Sequence, residues 1–232
     1  MTTSVWAQDC VILLHGLARS SGSMDKLEQH LDSLGFAVVN QDYPSTKHSV
    51  AKLTDIAIPP ALELCDEKRA SRTHFVSHSL GGILIRKYLG DNKIENLGRV
   101  VMLAPPNKGS EAADKLSKLP PYQWLNGPAG NQLGTNPYST PNQLGAANFE
   151  VGIIAGNKTV NPILSQLLPN PDDGKVSVER TKLEGMTDFI VVEHSHTFIM
   201  QADDVIEEVT HFLKLGVFSE SAHKATRPEG TP

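Results

Sequence analysis

A run that is apolar at every position, Val11-Ile12-Leu13-Leu14, stops abruptly at His15-Gly16. A strand with no polar side chain has no face to give to water, so it must be covered on both sides. That is the signature of a parallel sheet layered between helices. The order of the following elements agrees. Helix-like and strand-like stretches alternate: a helix over residues 24–34 capped by Ser23 and ended by Gly35, a strand at 36–40 and a helix at 50–68. A strand at 73–77, a helix at 80–89 ended by Gly90-Asp91, and a strand at 99–104 complete the first half. Pro59-Pro60 is expected to kink or split the second helix. Further strands fall at 149–155 and 188–193, and a last helix at 198–215. Alternation of this kind predicts βαβ units and a mostly parallel central sheet with helices on both faces. At 232 residues one domain suffices, its core burying roughly 70% of the unfolded surface.

The segment 105–145 breaks the pattern. It holds seven of the fifteen prolines and five glycines, yet it is too apolar for a linker, with Tyr122, Trp124, Leu125, Leu133, Tyr138 and Leu144. Aperiodic loops of such length in compact domains usually serve function, so this one reads as a cap-like insertion over a site. Residues 1–218 then form a single domain, and the polar residues 219–232 form a disordered tail.

Ser77-His78-Ser79-Leu80-Gly81-Gly82 lies between an apolar strand and a helix. It differs from the G-x-S-x-G nucleophile elbow only in Ser77 for the first glycine. The elbow is a sharp strand-to-helix turn, so residues two away from the nucleophile must be small, and serine and glycine both qualify. Ser79 is the candidate nucleophile. An acyl-transfer site also needs donors for an oxyanion. The backbone N–H of Leu80 follows the nucleophile, and that of Leu17 lies in the His15-Gly16-Leu17 loop, where Gly16 permits close approach. His15 itself belongs to the turn. A serine needs a base, and in elbow hydrolases the chain order is nucleophile, acid, base. His194 and His196 both lie in the loop between the sixth strand and the last helix, and His196, nearer the helix start, is preferred. The acid is sought in Asp172-Asp173-Gly174, where Asp173, next to the glycine, is preferred over Asp172. Asp188 reads as a surface cap. Asp114, Glu150, Asp203 and Asp204 read as solvated.

His15-Gly16-Leu17, the Ser77–Gly82 stretch, Asp173-Gly174-Lys175-Val176 and His196 together resemble the α/β-hydrolase superfamily, and within it small bacterial lipase-like esterases. The resemblance spans residues 11 to about 213. It implies an α/β-hydrolase fold, a Ser79–His196–Asp173 triad and no metal or other cofactor. It also implies a small-molecule acyl ester as substrate, and the apolar Tyr122, Trp124 and Leu125 of the cap-like insertion are expected to line its acyl path. A thioesterase or acyltransferase would use the same triad, and an idle binding protein the same fold.

Charge and cysteines narrow the setting. A net charge of −5, from 21 basic and 26 acidic residues, gives no electrostatic reason for a nucleic acid or anionic membrane partner. No apolar run approaches the roughly 20 residues of a membrane span. Cys10 and Cys65 read as buried free thiols in a reducing compartment, and no basic, apolar leader opens the chain, so the expected location is cytoplasmic.

Overall fold

The computed structural model describes residues 8–116, 126–160 and 168–226. Six strands form one sheet: β1 (Cys10–Leu14), β2 (Ala37–Gln41), β3 (Thr73–His78), β4 (Leu97–Leu103), β5 (Val151–Gly156) and β6 (Asp188–Val192). Their spatial order is β2-β1-β3-β4-β5-β6, and every pairing is parallel. The helices are α1 (Asp25–Ser33), α2 (Val50–Glu67), α3 (Leu80–Asp91), α4 (Glu111–Leu116), α5 (Asp203–Leu215) and α6 (Glu220–Thr226), with shorter helical turns between them.

All five residues of β1 are fully buried. Successive side chains point to opposite faces, and the core divides accordingly. Cys10, Ile12 and Leu14 join the cluster built with Leu53 and Ile58 of α2 and Ile83 of α3. Val11 and Leu13 join the opposite cluster, with Leu27 and Leu31 of α1 and Val209 and Phe212 of α5. Each such side chain contributes about 1.5–3 kcal/mol on burial, which is why the first apolar run predicted a two-sided layer.

The structure departs from the sequence reading at instructive places. α2 runs through Pro59-Pro60 without interruption for 18 residues. The two missing N–H groups free the carbonyls one turn earlier, on exposed Asp55 and half-buried Ile56, where water can satisfy them. Ala57, Ile58, Ala61 and Cys65 on the other face stay packed on the sheet. Ser23 does not cap α1. It lies in a 3-10 turn, Ser21–Met24, with its hydroxyl donating to the Ser20 carbonyl at 2.8 Å. The final helix starts at Asp203, after a separate 3-10 turn Ile199–Gln201, and its acidic first turn suits the positive end of the helix dipole.

Cys10 and Cys65 are buried as expected but are not free thiols: they form a disulfide tying β1 to α2, with Cα atoms 5.8 Å apart. A sequence separation of 55 hides this contact from the sequence. Disulfides persist where thiols are not kept reduced, so the cysteine argument for a reducing compartment falls away. Among the described residues no helix is long and apolar enough to cross a membrane.

The expected disorder from 219 onward is also corrected, since α6 is a helix docked on β6. β6 is one of the two edge strands, and the N–H of its Val191 donates to the Thr226 hydroxyl at 3.0 Å. Asp188 accepts from the Phe218 amide at 2.8 Å and pairs with His223 at 3.1 Å. An open edge with unpaired backbone groups favours such a cover, a demand set by the sheet and not by the tail's polar composition. Residues 227–232 lie outside the described residues. Asp114 and Glu150 are likewise engaged rather than merely solvated: Asp114 accepts from the Thr135 amide at 3.0 Å, and Glu150 pairs with Arg99 at 2.7 Å.

Buried Arg86 of α3 ties the 105–145 segment to the sheet. Its guanidinium donates to the carbonyls of Asn107 (2.9 Å), Pro141 (3.1 Å) and Gly145 (2.8 Å). Desolvation pushes its pKa down to about 10, so it stays charged while holding three loop carbonyls. Arg86→Met strands those acceptors in an apolar setting. The expected loss is about 2–4 kcal/mol, a Tm drop on the order of 10 °C, with Arg86→Lys restoring only part of it because lysine lacks the planar fork. Differential scanning calorimetry reads this directly, and an unchanged Tm in Arg86→Met would contradict the anchoring role.

Candidate active site

The loops that follow β1, β3, β5 and β6 meet at the carboxyl ends of the strands, the place where open α/β sheets bind ligands. β3 delivers Ser79 on the turn into α3. Its φ of 51° and ψ of −115° are unusual for a residue with a side chain, and such strain persists only where the surroundings impose it. The Ser79 amide donates to the Leu103 carbonyl at 2.9 Å, continuing the β3–β4 ladder, while its own carbonyl accepts from Gly82 at 3.0 Å and starts the helix. α3 fits so tightly behind the turn that a Cβ on Gly81 would sit 2.6 Å from the Leu14 carbonyl oxygen. Only glycine is tolerated there. Ser77 fills the other tight position, fully buried, with a hydroxyl that finds no partner.

His196 and Asp173 arrive from the other side. His196 Nε2 lies 3.0 Å from Ser79 Oγ, and Nδ1 lies 2.8 Å from Asp173 Oδ2. All three side chains are buried. The second carboxylate oxygen of Asp173 accepts from the amides of Lys175 (2.9 Å) and Val176 (2.8 Å). With the carboxylate thus occupied, Nδ1–H donates to Oδ2 and Nε2 is left to accept from the serine hydroxyl. The two loops are also laced by the backbone, the His196 N–H donating to the Asp173 carbonyl at 3.0 Å. The neighbours go elsewhere. His194 pairs with Asp204 on the surface at 2.8 Å, and Asp172 accepts from the Gly174 amide at 2.8 Å.

Leu80 opens α3, where a first-turn amide has no intrahelical acceptor. The loop carrying Leu17 reaches the same point, since a Cβ on Gly16 would come within 3.3 Å of the Ser79 Cβ. His15 sits in this turn with both ring nitrogens used: Nδ1–H donates to the Gly16 carbonyl at 2.9 Å and Nε2 accepts from the Tyr43 amide at 3.3 Å. Its ring stacks on Tyr43 at 4.1 Å between centroids.

A cavity of about 100 Å³ adjoins Ser79 and His196, walled by Leu17, Pro106, Ala113, Leu133 and Val176. The 105–145 segment thus supplies part of the wall. Tyr122, Trp124 and Leu125, expected to line the acyl path, lie outside the described residues, and Tyr138 is exposed. Among the described residues no group of three or more His, Cys, Asp or Glu side chains is placed to hold a metal ion.

Some site residues escaped the sequence reading. His78, beside Ser79, donates from Nε2 to the His196 carbonyl at 2.9 Å and so fixes the loop bearing His196; its Nδ1 is buried without a partner among the described residues. Gly156 ends β5 where a Cβ would meet the His194 carbonyl at 2.4 Å and the Asp173 Cβ at 3.0 Å. A glycine at the carboxyl end of a buried strand was the available signal. Arg19 and Lys175 also border the cavity.

The six-stranded parallel sheet with this elbow is the α/β-hydrolase fold. No protein-family model and no curated protein sequence matches the chain. Solved structures do match in shape. The mature form of a Bacillus licheniformis lipase is 19% identical, with a TM-score of 0.66 over 90% of this chain and 92% of that one. A Legionella pneumophila phospholipase is 17% identical, with a TM-score of 0.68 over 95% of this chain and 62% of that one. A Pyrococcus furiosus esterase is 16% identical, with a TM-score of 0.61 over 90% and 82%. At these identities the likeness shows the fold.

Three buried histidines, His15, His74 and His78, have pKa values lowered chiefly by desolvation, most strongly at His78, where the charges of His196 and Lys175 add to it. Each is neutral in the fold and regains a proton on unfolding. Because the unfolded chain binds more protons below about pH 6.5, stability falls with acidification, by up to about 1.4 kcal/mol per pH unit for each group. Tm is therefore expected to drop between pH 7 and pH 5. His74→Gln, remote from Ser79, should flatten that slope, and a slope identical to the unsubstituted chain's would count against the assignment.

Proposed function

We propose that this chain is a serine hydrolase of carboxylic esters. The observation that carries the reading is the unbroken hydrogen-bonded series Ser79–His196–Asp173, mounted on a strained elbow beside a cavity with an apolar wall. Ser79 Oγ attacks the acyl carbonyl as His196 Nε2 takes its proton, and Asp173 orients the ring and balances the charge it gains. The carbonyl oxygen, now negative, is held by the Leu17 and Leu80 amides. Collapse expels the alcohol, which receives the proton from His196, and leaves an acyl group on Ser79. Water, deprotonated by the same histidine, then releases the acid. The fold-level likeness to lipases and esterases supports this class of reaction.

Ser79→Ala is expected to keep its Tm yet lose kcat by about 10,000-fold or more, because loss of the nucleophile removes the whole covalent route. Intact-mass measurement after a fluorophosphonate should show one adduct, absent in that variant; an adduct elsewhere sinks the proposal. Within each neighbouring pair, His196→Ala should be far more damaging than His194→Ala. Asp173→Asn should cost kcat about 10,000-fold through the wrong imidazole tautomer, far more than Asp172→Asn.

The 105–145 segment is proposed as the cap on the acyl side, a loop contributed between parallel strands at their carboxyl ends. Each methylene it shields is worth about 0.8 kcal/mol. Trp124→Ala and Leu125→Ala should therefore lower kcat/KM progressively more as the acyl chain of the ester lengthens, with the shortest ester nearly spared. A loss equal at every length would assign these residues to the scaffold.

A further inference from the structure

Arg19 and Lys175 both border the cavity that holds Ser79 and His196. Each is placed by backbone that belongs to the site. Arg19 follows the Leu17 turn, where Ala18 adopts a φ of 55° and its amide is held by Ser45 Oγ at 3.1 Å. Lys175 lies two residues past Asp173, its N–H on the Asp173 carboxylate at 2.9 Å and its carbonyl accepting from Ser110 Oγ at 2.7 Å.

Among the described residues neither cation is neutralised by an ion pair. Arg72, Arg99 and Arg180 each meet a carboxylate within 2.8 Å. Arg19 instead donates to a backbone carbonyl, that of Thr197, at 3.3 Å. Lys175 has no carboxylate within ion-pair reach among the described residues. The acid that acts on it is Asp173, whose oxygens are already taken by His196 and two amides. The Lys175 pKa is lowered by desolvation and then by the charge of Arg19. Two cations that repel one another across a small cavity are stabilised by an anion between them, and charge-assisted hydrogen bonds to carboxylate or phosphate are the strong ones.

We infer that Arg19 and Lys175 form an anion-binding subsite beside the proposed nucleophile, and that the preferred substrate is an ester carrying a carboxylate or phosphate group near its scissile bond. The inference rests on the ester-hydrolase reading and names the substrate class for the same site. The apolar wall takes the hydrocarbon part, and the two cations fix which end of the molecule reaches Ser79.

The test compares matched pairs of esters at low ionic strength: 4-nitrophenyl pentanoate against 4-nitrophenyl hemiglutarate, and 1-butanoylglycerol against its 3-phosphate. The readout is the ratio of kcat/KM for the anionic member to that for the neutral one. The ratio should exceed one and fall as salt is added. Arg19→Gln and Lys175→Gln should each lower it by about 10-fold or more, the size expected for one charge-assisted hydrogen bond, and Arg19→Glu should bring it below one. The pair with the larger, substitution-sensitive ratio identifies carboxylate or phosphate as the natural anion. Ratios that both glutamine variants leave within twofold, in proteins of unaltered Tm, overturn the inference even though neutral esters are cleaved. Calorimetric titration of Ser79→Ala with the anionic esters reads the subsite without turnover. Binding there that Arg19→Gln abolishes, in a chain that cleaves no ester and takes no phosphonate, supports the subsite and overturns the hydrolase reading. Absence of binding overturns the subsite.

Discussion

The site depends on a backbone conformation that Ser79 does not favour. A φ of 51° costs on the order of 1–3 kcal/mol for a residue with a Cβ, and here it is enforced from three directions. β3 is clamped in the sheet centre by β1 and β4. α3 presses Gly81 against the last carbonyls of β1. The Ser79 amide cannot leave the Leu103 carbonyl without breaking the ladder. The burial that makes β1 apolar at every position thus also holds the serine hydroxyl above the strand ends. Core and site share the same atoms, so a change at Gly81 or Leu14 would be felt as misplacement of Ser79 before it was felt as lost stability.

The remaining parts of the site are brought to that fixed point by loops that lock to one another. Asp173 is bound to His196 through both side chain and backbone. His78 reaches from the elbow to the His196 carbonyl. Gly156 gives the room in which the loops bearing Asp173 and His196 cross. The imidazole therefore has little freedom to rotate, and the position of its Nε2 is determined before any ligand arrives. In the proposed chemistry, pre-organisation of this kind lets a weak nucleophile act at moderate pH without large rearrangement.

What the sequence disclosed follows from how local each signal is. The all-apolar β1, the small residues around Ser79 and the Gly16 turn are constraints written within a few residues, and the sheet and elbow follow from them. Asp173 and His196 were preferred over Asp172 and His194 by their places next to a glycine and a helix start, and the structure brings the preferred members to Ser79 while their neighbours face other partners. What stayed hidden was pairwise and distant. The Cys10–Cys65 bridge, the hold of Arg86 on the 105–145 segment and the cover of the β6 edge by α6 each join residues whose proximity no local pattern encodes. The unbroken α2 shows the converse. Two prolines forbid two hydrogen bonds, but the buried face of the helix and its exposed free carbonyls make the loss tolerable.

Charge in the cavity follows the same economy of placement. Asp173 is a single buried carboxylate, held by two amides and an imidazole, and its charge offsets only part of that of the two cations beside it. His78 is kept neutral by its burial and by its positive neighbours. The environment of Ser79 is thus polarised toward positive charge by Arg19 and Lys175, with helix α3 presenting its amino end to the same spot. In the proposed chemistry the charge that develops on the acyl oxygen is negative, and a field of this sign favours it over the neutral ground state. By the inference drawn above, the same field would draw an anionic ester toward the serine and disfavour a cationic one. On the proposed reading, specificity and rate come from one set of oriented positive groups, fixed by the turns after β1, β3 and β5.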